Sequence, residues 1–267
     1  MSEGLLLAEA LLRIHKEGLA AALATVIEVS GSVPRRVGSK MLVMPDGSIV
    51  GTVGGGKMES LVIRDAQNAL QTGEAVTVEY ALNDIAAGDP GICGGTLRLF
   101  IEPLIPVPTL LVIGAGHVGK ALAELGKWSG FRVVISDDRA EFCNASYLPN
   151  MDGYLPVPPA ELPNHIKIDR HTYITAVTRG LPIDEKLLPV LLTTEAAYIG
   201  VIGSRRRWAL TVRNLEEQGF TREQISRIHA PLGLELNAET PHEIAISIMA
   251  EIIMLRRGGD GKPMGKL

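Results

Sequence analysis

The sequence predicts an α/β chain in two parts. The first is an N-terminal α+β domain with antiparallel strands, and the second is a domain with a parallel sheet. Three observations carry this. Alternating apolar stretches in the first hundred residues are separated by turn signals such as Pro45-Asp46-Gly47. After residue 109 the pattern changes to strands alternating with helical stretches, which implies right-handed crossovers and a parallel sheet. Between them, IPVPT at 105–109 is a short stiff linker with two prolines, placing the boundary between 1–105 and 106–267.

In order along the chain, the opening 18 residues carry Glu3, Glu9 and Glu17 among leucines and read as an amphipathic helix, not a signal peptide. Residues 20–29 read as a strand, and 30–39 as a loop holding Arg35 and Arg36. KMLVM and SIVGTV flank the Pro-Asp-Gly turn as a hairpin. After Gly54-Gly55-Gly56, residues 57–70 have helical spacing through Leu61, Val62, Asp65, Ala66 and Ala69. AVTVEYAL and TLRLFIEPL alternate as strands, on either side of a glycine-rich loop at 83–95 that holds Cys93.

The second part begins with a strand (LLVI), a glycine turn, a helix and a second strand that ends at Asp137-Asp138. Strands at 172–177 and 196–203 follow, with helices at 183–192 and from Ser204. A last helix is expected from Thr240, with Pro241 at its first position and Glu243 completing a capping box. From Ile244 to Leu255 it is apolar almost all round, so burial in the core or against a second copy of the chain is expected.

Composition limits the function classes. Hydrophobic residues make up 46% of the 267, enough for a packed core. The net charge of −4 and an aromatic content of 4% argue against a nucleic-acid surface. Two cysteines make no disulfide framework, so a reducing, cytoplasmic setting is expected. No apolar run approaches the ~20 residues of a membrane span. Zinc-ligand spacing, a metalloprotease HExxH and a hydrolase GxSxG are all missing, and no residue is assigned a catalytic role.

The candidate residues are instead suited to holding an anion. Gly114, Gly116 and Gly119 form G-x-G-x-x-G in the strand–turn–helix context of a Rossmann-like domain. The first makes the turn, the second admits backbone N–H groups to a phosphate, and the third lets helix and strand pack. His117 lies within this turn, and Asp137 is placed to accept from a ribose hydroxyl. Ser204 can cap the helix that carries Arg205, and Arg179 follows another strand facing the same crevice. In the first part, Gly54, Gly55, Gly56 and Lys57 open a helix, and Arg35 and Arg36 form a basic cluster. Cys93, between glycines, is a candidate nucleophile or soft-metal ligand.

Together these stretches resemble the XdhC/CoxI family, the accessory proteins of xanthine dehydrogenase and carbon monoxide dehydrogenase. The likeness is carried by GSVPRRVGSKMLVMPDGSIVGTVGGG (31–56), GICGGTLRLFIEPL (91–104), LLVIGAGHVGKALA (110–123) with VVISDDRAEF (133–142), and YIGVIGSRRR (198–207) running into the C-terminal helix. The resemblance implies a chaperone that binds the molybdenum cofactor (molybdopterin with its metal). Such a chaperone holds it while a cysteine desulfurase supplies sulfur and hands it to an apo molybdenum hydroxylase of the xanthine dehydrogenase type. It also implies a homodimer, and places the family's loop cysteine on Cys93 as a metal contact. The chain departs from the family pattern at Lys57 and at Thr178-Arg179-Gly180, and Lys57 and Arg179 each add positive charge. Two other readings stand beside this one: an NAD(P)-dependent oxidoreductase using the glycine turn, and a non-catalytic nucleotide-binding scaffold.

Overall fold

The structure is a computed structural model that describes residues 2–82 and 94–265. The chain divides into two compact units, Met1–Pro106 and Val107–Leu267.

In the first unit, α1 (Glu3–Glu17) is capped by Ser2 and ends at Gly18. Strands β1 (Ala21–Ser30), β2 (Lys40–Val43) and β3 (Ile49–Gly51) come next, then α2 (Gly56–Thr72), β4 (Val76–Ala81) and β5 (Thr96–Leu104). All five strands pair antiparallel, in the order β3-β2-β1-β5-β4. The hairpin is as expected: Val43 pairs with Ile49, and Asp46 accepts from the backbone and hydroxyl of Ser48.

Alternation along β1 sends its side chains to two different cores. Ala22, Ala24 and Val26 join Val62, Ala66 and Ala69 of α2 on one face. Ala21 and Leu23 meet Leu7, Ala10 and Ile14 of α1 on the other. Small alanines in this central strand let both helices approach the sheet closely. Long β1–β5 pairing, from Ala21↔Leu104 to Ser30↔Thr96 with a bulge between Val26 and Glu28, makes these two strands the backbone of the unit.

The second unit contains β6 (Thr109–Ile113), α3 (His117–Trp128), β7 (Arg132–Ser136), β8 (Gly153–Leu155), β9 (Thr172–Ala176), α4 (Leu181–Leu192), β10 (Tyr198–Val201), α5 (Arg205–Glu217), the one-turn α6 (Arg222–Ile225), β11 (Ile228–His229) and α7 (Pro241–Arg257). Its sheet is parallel throughout, in the order β11-β10-β9-β6-β7-β8. Numbered within the unit, this is 6-5-4-1-2-3, the doubly wound order. Strand order reverses between β6 and β9, and that switch point is where such sheets open a crevice at their carboxyl ends. The short β8 and β11 are not legible in the sequence, because two or three residues carry no period.

Both faces of the sheet are covered. Leu110, Val112, Val133 and Ile135 pack with Leu122, Ile248 and Ile252, under α3 and α7. Leu111, Ile113, Ile174 and Ile199 pack with Leu187, Leu191 and Leu215, under α4 and α5. Full burial of each such side chain contributes about 1.5–3 kcal/mol. The capping box at Thr240 and Glu243 forms as expected. The apolar helix α7 is only partly enclosed within the described chain: Ile248, Met249 and Ile252 are buried, while Ile246, Ile253 and Leu255 are exposed. Among the described residues, no helix is long and apolar enough to cross a membrane.

Candidate functional site

The glycine turn is built from strand ends. Gly114 takes φ +107°, and a Cβ there would sit 2.6 Å from the carbonyl oxygen of Val177, at the end of β9. At Gly119 an added Cβ would collide with the carbonyl oxygen of Gly114, so the third glycine serves helix–turn packing. Gly116 differs from both: a Cβ there would meet no heavy atom within 4 Å. It is the N-cap of α3 and makes no side-chain cap bond. The open space beside it and the N–H groups of the first helical turn form a cradle suited to an anionic group. His117 is exposed at the first position of the helix.

Asp137 follows β7 and is almost fully buried. Its carboxylate accepts from Ala115 N at 2.8 Å, Arg139 N at 3.0 Å, and Arg139 Nε and Nη2 at 2.8 Å each. Four donors fill the roughly four acceptor directions that two carboxylate oxygens offer. Burial alone would push this carboxyl up, but the bonds from the Arg139 side chain, Ala115 and the Arg139 backbone, with the guanidinium charge, hold it below the usual carboxylate range. Asp137 therefore staples the turn. Acceptance from a ribose hydroxyl, as expected of it, would have to compete with Arg139. Sequence reasoning misses Arg139, although an arginine two residues beyond the acidic residue is a usable signal.

The next carboxylate, Asp138, is exposed and accepts from Arg179 Nη2 through both of its oxygens, at 2.7 and 2.9 Å. Behind it lies a buried network that sequence reasoning also misses. The Thr178 hydroxyl donates to Asp184 at 2.5 Å, and Arg207 donates to Asp184 through Nε at 2.9 Å and to Thr178 through Nη2 at 2.8 Å. Asp184 is fully buried, in the first turn of α4. Of the three arginines that open α5, Arg207 is thus committed to holding α4, α5 and the end of β9 together. Ser204 caps α5 by accepting from Arg207 N at 3.2 Å, while Arg205 is exposed. Beside them, Gly203, Ser204, Arg207, Trp208 and Thr211 line a small open pocket.

In the first unit the structure brings three loops to one end of the sheet. A Cβ on Gly31 would press on the Gly94 carbonyl oxygen at 2.8 Å, and one on Gly95 would collide with the carbonyl oxygens of Ser30 and Ser32. A Cβ on Gly54 would strike the Met58 side chain and lie 3.0 Å from Pro34. The arginine loop, the triple-glycine turn and the start of β5 therefore touch. Gly55 and Gly56 take φ +87° and +62° over open space, at the start of α2, where no side chain caps the helix. Arg35 pairs with Glu3 at 3.7 Å, and Arg36 and Lys57 are exposed. Cys93 lies outside the described residues, immediately before Gly94. Among the described residues no group of histidine, cysteine, aspartate or glutamate could hold a metal ion. Cys143 is buried, its thiol pushed up by desolvation.

Residues 110–252 match the model of the XdhC Rossmann domain, and residues 14–81 match that of the XdhC and CoxI family. The uncharacterized protein YqeB of Escherichia coli K12 is 34% identical over 256 residues, covering 95% of this chain and 47% of that protein. A probable xanthine dehydrogenase subunit of Bacillus subtilis 168 is 32% identical over 162 residues, covering 61% of this chain and 47% of that protein. The molybdenum cofactor insertion chaperone PaoD of Escherichia coli K12 is 26% identical over 278 residues, covering 90% of this chain and 84% of that protein. This chain spans about half the length of the first two relatives. A crystal structure described as a xanthine dehydrogenase from Bacillus halodurans shares the fold, with TM-score 0.52 and 24% identity over 97% of this chain and 96% of that one. The glycine turn, the doubly wound sheet and the loops assembled at Gly31, Gly54 and Gly95 thus sit in a chain that belongs to the XdhC and CoxI family.

Proposed function

We propose that this protein is a chaperone for the molybdenum cofactor. It binds molybdopterin as cargo, holds it while sulfur is supplied by a cysteine desulfurase, and delivers it to a molybdenum hydroxylase of the xanthine dehydrogenase type. The observation that carries the reading is the open cradle at Gly116, in a chain 26% identical over 90% of its length to a molybdenum cofactor insertion chaperone. Molybdopterin ends in a phosphate, or a diphosphate in its dinucleotide form, and either suits uncapped N–H groups at a helix start. Gly55 and Gly56 leave a second open stretch of backbone before Lys57, and Gly54 ties that turn to the loop that carries Arg35 and Arg36. Cys93 adjoins that loop cluster in sequence, and its thiolate is the group we assign to the soft metal. The saturated carboxylate of Asp137 favours this reading over an NAD(P)-dependent oxidoreductase, which would use that acceptor for ribose.

Mass spectrometry of the small molecules that co-purify with the full chain tests the proposal. A pterin is expected, as is weaker transfer to an apo-hydroxylase from Cys93→Ser. Protein at micromolar concentration that retains and binds no pterin, but saturates with NADH or NADPH, would replace this reading by the oxidoreductase.

A further inference from the structure

The Arg179–Asp138 pair lies across the switch point. Arg179 follows β9 and Asp138 follows β7, while β6 and its glycine turn lie between those strands in the sheet. Close contacts fix both neighbours to that turn: Val177 crowds Gly114, and Asp137 holds Ala115. The pair therefore spans the approach to the Gly116 cradle.

Both partners stand on held backbone, Asp138 between the bonded Asp137 and Arg139. Thr178 and Gly180 flank Arg179, and Thr178 is locked to Asp184 and Arg207, so the backbone that presents Arg179 is rigid. The Asp138 carboxylate is held by Arg179, and both side chains are about half exposed, at 41% and 49%. An ion pair this exposed is weak, because water solvates both charges. One nitrogen, Nη2, serves both Asp138 oxygens, whereas arginine can take a phosphate through two parallel N–H donors.

We propose that Arg179 is a ligand-binding residue that exchanges partners. In the free protein its guanidinium is held by Asp138. When the cargo's terminal phosphate or diphosphate reaches the α3 start, the guanidinium leaves Asp138 for the ligand oxygens. Asp138 then acts as a competitor that sets how strong an anion must be to gain the site. A neutral or weakly charged group does not displace it, and a diphosphate does. The inference rests on the cargo reading above and adds the residue that selects for its charged end.

The test is calorimetric titration of the full chain with inorganic pyrophosphate, on the wild type and on Asp138→Asn, Arg179→Ala and the double variant. Removing the competitor should tighten binding, about three- to tenfold for Asp138→Asn, and removing the guanidinium should weaken it about tenfold in Arg179→Ala. The double variant should match Arg179→Ala, since Asp138 acts only through Arg179. Thermal melts of the three variants check that each is folded. Equal weakening by both single variants would show that the pair is a brace and overturn the exchange, as would unchanged affinities or no pyrophosphate binding by wild type and Asp138→Asn. A wild-type protein that carries no pterin but shows the exchange would overturn the cargo reading alone. A pterin-bearing protein with unshifted pyrophosphate affinities would overturn the exchange alone.

Discussion

Asp137 accepts the backbone N–H of Ala115 at 2.8 Å, so the carboxylate that ends β7 is fastened to the glycine turn that ends β6. The turn is held from one side by this bond and crowded from the other by Val177. Its shape is set before any ligand arrives, which reduces the ordering cost of binding.

Two roles within the glycine triplet separate by mutation. Gly119→Ala forces a Cβ into the Gly114 carbonyl oxygen, a backbone atom that cannot move aside, and should destabilise the second unit by about 3 kcal/mol or more. Gly116→Ala adds a methyl to open space at φ −69°, where any residue is comfortable, and should change stability by no more than about 0.5 kcal/mol. The same methyl occupies the cradle, so pyrophosphate and pterin affinity should fall about tenfold or more in a protein with a normal melting curve. Loss of stability by Gly116→Ala with unchanged affinity would reverse these assignments.

Acid titration of stability should report Asp137. Its folded-state pKa is lowered, so its stabilisation is present above the unfolded value of about 3.9 and is lost as pH falls through the lower folded value. Denaturant unfolding between about pH 5 and pH 2 should therefore show a steeper loss in the wild type than in Asp137→Asn. At neutral pH the variant should be less stable by about 2–4 kcal/mol, because Arg139 and Ala115 lose a charged acceptor.

Arg207→Ala should be among the most damaging changes in the second unit. It leaves the Asp184 carboxylate buried with only the Thr178 hydroxyl of this network as partner, a loss of about 3–5 kcal/mol. Asp184→Asn keeps the shape and removes the charge, and should cost less. A double-mutant cycle at 184 and 207 should give strong coupling, and additive losses would show that the pair is not one network.

In the first unit, Gly95→Ala is the informative change. Its Cβ would strike the carbonyl oxygens of Ser30 and Ser32, so the arginine loop must lift off the start of β5. A fall in melting temperature, together with loss of pterin retention, is expected. Retention at wild-type level in a destabilised protein would separate that loop from the cargo.

Most of the architecture was legible because it has a local signature. The hairpin at Asp46, the helix caps at Ser204 and Thr240, and the strand–turn–helix at Gly114 each follow from residues within a few positions of one another. α7 was harder to read. Its near-continuous apolar face calls for burial in this core or against a second copy, and within the described chain Ile246, Ile253 and Leu255 are exposed. A hydrophobic pattern states what a helix can bury, not how many neighbours it has.

The sequence by itself determined the two-part fold, the family likeness and the glycine turn, since short-range periodicity and spacing encode them. Only the tertiary structure decided which charges are already taken. Arg179 is engaged by Asp138 across 41 residues of chain, and Arg207 by Asp184 across 23. The physical reason is that an ion pair depends on distance in space, and a parallel sheet brings strand ends together that are far apart in the chain. In the antiparallel sheet of the first unit, Gly31 and Gly95 likewise meet only because β1 and β5 pair.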